Sequence, residues 1–362
     1  MRGVLAVLAT VLLAACQSTA TRHVVATPSG TRSAPLAQEP KTSVQPVVVP
    51  EEMRQIFGVS SDEAYAVTTR RVMHAVDGGH AWVDVSPPGL RTPGDLRVVG
   101  GTVWLIVATA TRSLDLLRSY DSGTSWTKVR TFEGIGATVT SADARHLWLA
   151  VSGGVAAGSE SLDLYATNDG GSTWQRVAWT DPSGRGTIPL ACHKGPASFP
   201  TPATGWLGLA CAGGTPGLLK TMDGGRSWQP VTVMEQGSRD FATEAIFFDT
   251  RTGVAVVNSG HQFLLTTFDG GRNWLLQANI KATGEPAILT PTVWFARDQG
   301  ALVVTHDGGH SWTPVAPTSP PDEIHFLDEK VAWAVMAPTT LEVGRSTDGG
   351  RSWERTELPR QS

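Results

Sequence analysis

Seven aspartates each stand five residues before a tryptophan: Asp77, Asp121, Asp169, Asp223, Asp269, Asp307 and Asp348 precede Trp82, Trp126, Trp174, Trp228, Trp274, Trp312 and Trp353. Carboxylates in such number could act as acids or as calcium ligands. Their even spacing argues against both, because it puts them on equivalent turns at one end of a repeated unit, where they do not converge. His306 and His310, four apart, would have metal-ligand spacing on a helix, yet they flank the turn Asp307-Gly308-Gly309. Gly153-Gly154-Val155-Ala156-Ala157-Gly158 lacks the Lys-Ser/Thr of a phosphate loop. A sialidase needs three arginines on a carboxylate, a tyrosine activated by a glutamate and an acidic proton donor. The chain has only Tyr65, Tyr120 and Tyr165, each at a strand or box position that core packing explains. No catalytic residue, metal site or cofactor is assigned.

The turns come next, since they position everything else. Ser346-Thr347-Asp348-Gly349-Gly350-Arg351-Ser352-Trp353 recurs upstream from Ala75, Ser119, Thr167, Thr221, Thr267 and Thr305. The Asp side chain can accept backbone N–H bonds two or three residues on, Gly supplies the positive φ, and the following Ser, Thr or Asn adds a local bond. Apolar residues precede each copy and short alternations follow it, as in Trp126-Thr127-Lys128-Val129. The unit is strand, rigid turn, strand. Ala75 and Ala81 in the first copy, and Ser122 in the second, depart from the pattern, so these two turns are expected to be looser.

The Ser/Thr-x-Asp-x-Gly-x-x-Trp pattern resembles the Asp-box, or bacterial neuraminidase repeat, and its frequency resembles the photosystem II stability and assembly factor-like family. The resemblance covers roughly residues 54 to 358. It implies a β-propeller, and it implies binding of a membrane protein or its exposed segment. Asp-boxes also occur in sialidases, sortilin-type receptors and xyloglucan-cleaving enzymes, so the motif is specific for fold and weak for function.

A second piece recurs upstream of each box: an aromatic near the start of a short strand, at Tyr65, Trp104, Trp148, Trp206, Trp294 and Trp333, with Val254 in the fifth slot. An earlier strand precedes it, as in Ile56-Phe57. Four short strands in about 40 to 54 residues is the length of one propeller blade. The expected fold is all-β, a seven-bladed propeller of four-stranded antiparallel blades with Asp-box turns, over residues 51–362. Of thirteen Trp, twelve fall in the two recurring slots. These are expected to wedge neighbouring sheets apart, and Trp179 alone breaks the pattern.

Residues 1–15 carry Arg2 and a short apolar run ending in Leu13-Ala14-Ala15-Cys16. That run is too short for a membrane span and reads as a signal peptide with a lipobox, lipidated at Cys16. Residues 16–50 read as a flexible tether with a reach on the order of 30 Å, although Val44 to Val49 could add an outer strand. The charge of −4 includes Arg2, and nothing in it favours nucleic acid or an anionic membrane surface as partner. Membrane association is expected through the lipid anchor only, and a monomer is expected.

With Cys16 lipidated, Cys192 and Cys211 remain as an expected disulfide of an exported protein. A hairpin with Phe199 opposite Thr204 would set residue 192 opposite 211. All Asp-box turns lie at one end of the blades, so the loops between blades and those between second and third strands lie at the other. Long ones there gather Glu160, Trp179, Asp181, Arg185, His193, Lys194, Glu235, Arg239 and Asp240 as candidate partner contacts. The resulting reading is an extracytoplasmic propeller, on the outer face of the cell membrane or in the periplasm, that binds an envelope protein or peptide segment without catalysis. Two alternatives stand: a glycan-binding or glycan-cleaving propeller, favoured if an Arg cluster and paired acids meet at the axis, and a ligand-sensing receptor domain.

Overall fold

Short apolar runs bounded by Gly, Asp and Pro form strands throughout the described residues, and each strand pairs antiparallel with its neighbour. The computed structural model describes residues 50–156, 159–183, 185–211, 217–234, 241–281, 284–316, 320–321 and 323–360. The expectations for residues 1–15, the tether, Cys16, Val44 to Val49, Glu235, Arg239 and Asp240 lie outside the described residues. The only helix among the described residues is a single 3-10 turn, Pro338–Thr340.

The strands fall into consecutive groups of four. The first group is β1 (Met53–Gly58), β2 (Ala64–Thr68), β3 (Val72–Ala75) and β4 (Val83–Asp84). The second is β5 (Thr92–Val99), β6 (Thr102–Ala110), β7 (Ser113–Ser119) and β8 (Thr127–Glu133). The third is β9 (Gly136–Ser141), β10 (Leu147–Ala156), β11 (Ser159–Thr167) and β12 (Gln175–Trp179). Next come β13 (His193–Ser198), β14 (Gly205–Cys211), β15 (Gly217–Thr221) and β16 (Gln229–Thr232), then β17 (Phe241–Phe247), β18 (Gly253–Asn258), β19 (Gln262–Thr267) and β20 (Leu275–Ile280). The sixth group is β21 (Ala287–Ile288), β22 (Trp294–Asp298), β23 (Ala301–Thr305) and β24 (Thr313–Ala316), and the seventh β25 (Glu323–Phe326), β26 (Ala332–Ala337), β27 (Glu342–Ser346) and β28 (Glu354–Glu357).

Five groups are separate four-stranded sheets, while the fourth and fifth join into one larger sheet. The join has a local cause. The register of β13 slips between Lys194 and Ala197, at Gly195-Pro196, and β14 beyond Gly208 pairs with β17 as well, Leu209 opposite Thr243. A Cβ on Gly208 would sit 2.6 Å from the Thr243 carbonyl, so only glycine permits that approach.

The core lies between sheets, and aromatics fill it. Trp148 stacks on Phe199 at 3.7 Å and Trp206 on Phe247 at 3.4 Å, each ring coming from the following group. The aromatic slot of one group also meets the box Trp of the next edge-on, as in Trp104 with Trp174 at 6.0 Å. The same contact joins the last group to the first, Trp333 with Trp82 at 6.2 Å. Trp333 Nε1 donates to the Ser60 carbonyl at 2.9 Å, Arg345 Nη2 pairs with Asp62 at 3.0 Å, and Arg71 binds both Glu51 and the Pro359 carbonyl. The seventh group therefore packs on the first without exchanging a strand. Slot residues from Tyr65 to Trp333 are almost fully buried.

Candidate functional site

The Asp-box carboxylates are consumed by their own turns. Asp223 accepts from Thr221 Oγ1, Arg226 N, Ser227 N and Ser227 Oγ at 2.6–2.9 Å. Side-chain and backbone bonds from Ser125 hold Asp121 down to about 2, and bonds from Asn273 hold Asp269 down to about 2. The second Gly of the box has two reasons to be there: Gly171 has φ +81, and a Cβ would strike the Trp104 ring of the preceding group. The first box is the looser one, with Ala81 N as donor to Asp77 and no box hydroxyl. The second is not, contrary to the sequence reading: Ser122 takes φ 56, yet Asp121 keeps its bonds from Ser119 and Ser125. His306 pairs with Glu329 at 3.6 Å, while His310 bonds the Asp307 carbonyl. No set of three His, Cys, Asp or Glu among the described residues could hold a metal ion.

The candidate contacts from the long loops divide. Glu160 is buried; it accepts from Ser152 Oγ and from the backbone N–H of Lys194 at 2.7 Å. Lys194 Nζ caps the carbonyls of Leu190, Ala191 and Cys192 at 2.8–3.1 Å, and burial pushes it down to about 8 against the pull of Glu160. Glu160 is thus buried and Lys194 half-buried, and both brace the loop. Cys192, at φ 68, is joined by a disulfide to Cys211, with Cα atoms 4.5 Å apart. Trp179 closes the outer strand β12 with Arg176 at 4.8 Å over its ring. Arg185 is 82% exposed and pairs loosely with Asp181 at 3.6 Å. His193 opens the innermost strand of its group, opposite Ala210.

A cavity of about 340 Å³ lies among the first strands, lined by Gln55, Phe57, Arg97, Glu285, Glu323 and His325, with Phe295, Arg297 and Phe326 behind them. The register explains it. The first strand of every group pairs one residue with the recurring slot: Phe57 with Tyr65, Arg97 with Trp104, Ile246 with Val254, His325 with Trp333. Two residues earlier in these four strands come Gln55, Asp95, Glu244 and Glu323, while Thr138, Pro196 and Pro286 take that place in the other three, so part of one level of the axis is polar. Gln55 bridges to the β5 backbone, its Oε1 accepting from Leu96 N at 3.0 Å. Burial pushes Glu323 up to about 7, with Glu285 adding to it while the Ile56 backbone and Arg97 oppose. Burial does the same to Glu244, again to about 7, with Glu285 contributing. His325 Nδ1 accepts from Gly58 N at 2.9 Å, which leaves its proton on Nε2; burial and Arg97 push it down to about 4. Arg97 pairs with Asp95 at 3.1 Å.

Sequence reasoning missed this cavity. It treated Ile324-His325-Phe326 as strand only and Glu244 as the end of a loop, whereas β17 begins at Phe241. Aligning the seven first strands on the aromatic slot would have exposed the acidic level. Arginines and acids do meet here, yet Tyr65 is buried and stacked on His74 at 4.3 Å, so it supplies no nucleophile to them.

Residues 187–321 match the family model described as photosynthesis system II assembly factor YCF48. The chain resembles the photosystem II assembly factor family. A curated relative, the photosystem II assembly lipoprotein Ycf48 of Synechococcus sp. (strain CC9902), is 31% identical over 120 residues, 32% of this chain and 34% of the relative. The match thus spans about a third of that relative's length. Two solved structures share the fold: YCF48 bound to D1 peptide, at 15% identity and TM-score 0.55 over 83% of this chain and 92% of that one, and YCF48 from Cyanidioschyzon merolae, at 16% identity and TM-score 0.55 over 84% and 97%.

Proposed function

We propose that this chain is an exported, lipid-anchored propeller of seven blades that binds an exposed segment of an envelope protein without doing chemistry on it, as an assembly or scaffold factor. The observation that carries this reading is the match of residues 187–321 to an assembly-factor family. That stretch holds the loop stapled by Cys192–Cys211 and two of the axial glutamates, Glu244 and Glu285. A Ycf48 structure with bound D1 peptide supports a peptide segment as the class of partner. The name lipoprotein on the cyanobacterial relative supports the anchor at Cys16, and Trp179 and Arg185 remain the loop residues offered to the partner.

In-cell crosslinking of the lipidated protein followed by mass spectrometry tests the reading. One reproducible envelope protein is expected, and recovery of glycans alone, or of nothing, contradicts it. Intact mass of the mature chain should show acyl groups on Cys16, and a chain that starts elsewhere without lipid removes the anchor.

A second reading has one observation in its favour: Arg97, Arg297, Glu285 and Glu323 line one cavity, as a glycan site would require. Binding of a sialylated or xyloglucan oligosaccharide that Glu323→Gln abolishes would select it.

A further inference from the structure

We propose that the partner's segment adds as an extended strand to the free edge of β10 at Val155, an inference that rests on the partner-binding reading above. The first strand of this group covers only part of β10. Gly136, where β9 begins, faces Ser152, and β10 continues through Gly153 to Ala156. In the fifth group the first strand covers the hairpin to its end, with Ala242 facing Asn258, the last residue of β18. The ladder of β10 with β11 shows which way the Val155 backbone points. Glu160 N donates to the Cys192 carbonyl at 3.2 Å, away from β10, so Val155 and Glu160, which face each other, are a pair that exchanges no hydrogen bonds. The same alternation holds before the bulge, where Leu162 N donates to Thr180 Oγ1 and the Leu162 carbonyl accepts from Thr180 N. In such a pair both residues turn their N–H and C=O outward. Glu160 turns toward the Cys192 segment, and Val155 turns toward the open edge.

The neighbouring carbonyls are already taken. Ser152 O accepts from Ile135 N at 2.8 Å and Gly153 O from Arg112 Nη1 at 3.0 Å, while none of the described residues outside the ladder bonds the N–H or C=O of Val155. An edge of this kind is a template for main-chain pairing with an extended peptide. Its side chains are apolar. Val155 is 56% and Ile135 53% exposed, and a Cβ on Gly154 would lie 3.5 Å from Ile135 Cδ1, which puts Ile135 along the same edge. The far side of the hairpin is closed, because Glu160 is bonded to the Cys192 segment and Trp179 faces Asp163. The Cys192–Cys211 bridge fixes the segment on which that side rests. The open edge lies on the side of β9, the innermost strand, and at the end away from the Asp-box turns. The segment that fits it has a free N–H at the pairing residue, which excludes proline there, and an apolar side chain to lie on Val155 and Ile135.

The test is isothermal titration of the full chain in detergent with the blocked pentapeptide Ser-Thr-Val-Thr-Ser and with the same peptide N-methylated at every residue. The free-amide peptide should bind, and the N-methylated one should be weaker by about tenfold or more. Val155→Pro removes the outward N–H at a position where an edge strand tolerates proline. It should weaken the free-amide peptide by about tenfold while the melting temperature and the Cys192–Cys211 bridge persist. Hydrogen exchange at the Val155 amide of the unaltered chain should slow by about tenfold when the peptide binds. Equal binding of the two peptides, no binding at millimolar concentration, or affinity unchanged in Val155→Pro would overturn the inference. If Val155→Pro melts early, the N-methylated peptide and the exchange rate decide alone. A chain that sediments as a dimer, and as a monomer with Val155→Pro, would give the edge to a second copy and overturn the partner's segment as its occupant. If the peptides fail while crosslinking still yields one envelope protein, this inference falls and the partner-binding reading stands; peptide binding without a crosslinked envelope protein keeps the edge and removes that reading.

Discussion

Glu323 and Asp121 show how two carboxylates of one chain answer pH in opposite senses. Burial holds Glu323 up at about 7, so between its unfolded value near 4.5 and that point the folded state binds more protons, and stability falls as pH rises. Glu244 adds the same slope. Asp121 and Asp269 are held down to about 2 by hydrogen bonds, so their contribution is full above the unfolded value near 3.8 and is lost as pH falls through about 2. The protein should therefore be most stable in mild acid. Urea midpoints measured from pH 2 to pH 8 should rise from pH 8 toward about 5 and then drop below about 4. Glu323→Gln should flatten the upper limb alone. A midpoint that climbs steadily to pH 8 would show that the axial acids are not buried as described. The groups facing these two glutamates, Glu285, Arg97, Asp95, Arg297 and His325, set the steepness of that limb and not its sign.

At the scale of strands and turns, the strongest signals were those that repeat. The aromatic slots and the seven boxes located the second strand and the last turn of every group, because a buried indole and a tight turn each demand one residue type at one place. Trp333→Ala removes a fully buried ring that also bonds Ser60 across the closure, and should cost about 3–5 kcal/mol, read as a lower urea midpoint. A loss below about 1 kcal/mol would mean that the contact between last and first groups does not hold the ring. The disulfide is instructive about what a single strand hides. Counting from Phe199 opposite Thr204 brought 192 opposite 211, yet Ser198 in fact faces Trp206, one residue out of that register. The slip at Gly195-Pro196 shifts the pairing back, since His193 faces Ala210 and Cys192 reaches Cys211. Bulges are local compromises between proline, glycine and a neighbouring strand, and no periodicity announces them. Thiol labelling of the unfolded, unreduced protein should find neither Cys192 nor Cys211, and joint replacement by Ala should cost about 3 kcal/mol; two labelled thiols would contradict the bridge.

For the whole molecule, the repeats fix where function can gather but not what gathers there. The Asp-box end presents Arg226 and Arg272 on turns that satisfy themselves, Arg226 bonding the Asp223 carbonyl. The opposite end holds the irregular loops and the acidic level of the axis. That level went unread because Gln55, Asp95, Glu244 and Glu323 are far apart in sequence and show as a set only when the first strands are aligned on the aromatic slot. Only closure into a ring brings them together. The hydrogen bonds of Glu160 and Lys194 within the chain were not legible either, because the backbone that each engages comes from a neighbouring loop or strand. The proposed binding surface is the end away from the Asp-box turns. Capture of the envelope protein in cells, measured beside thermal stability, tests it with two sets of Ala substitutions. Replacing Trp179 and Arg185 should cut the crosslinked yield while the melting temperature stays nearly unchanged, and replacing Arg226 and Arg272 should alter neither. Equal loss of capture from both sets, or from neither, would contradict it.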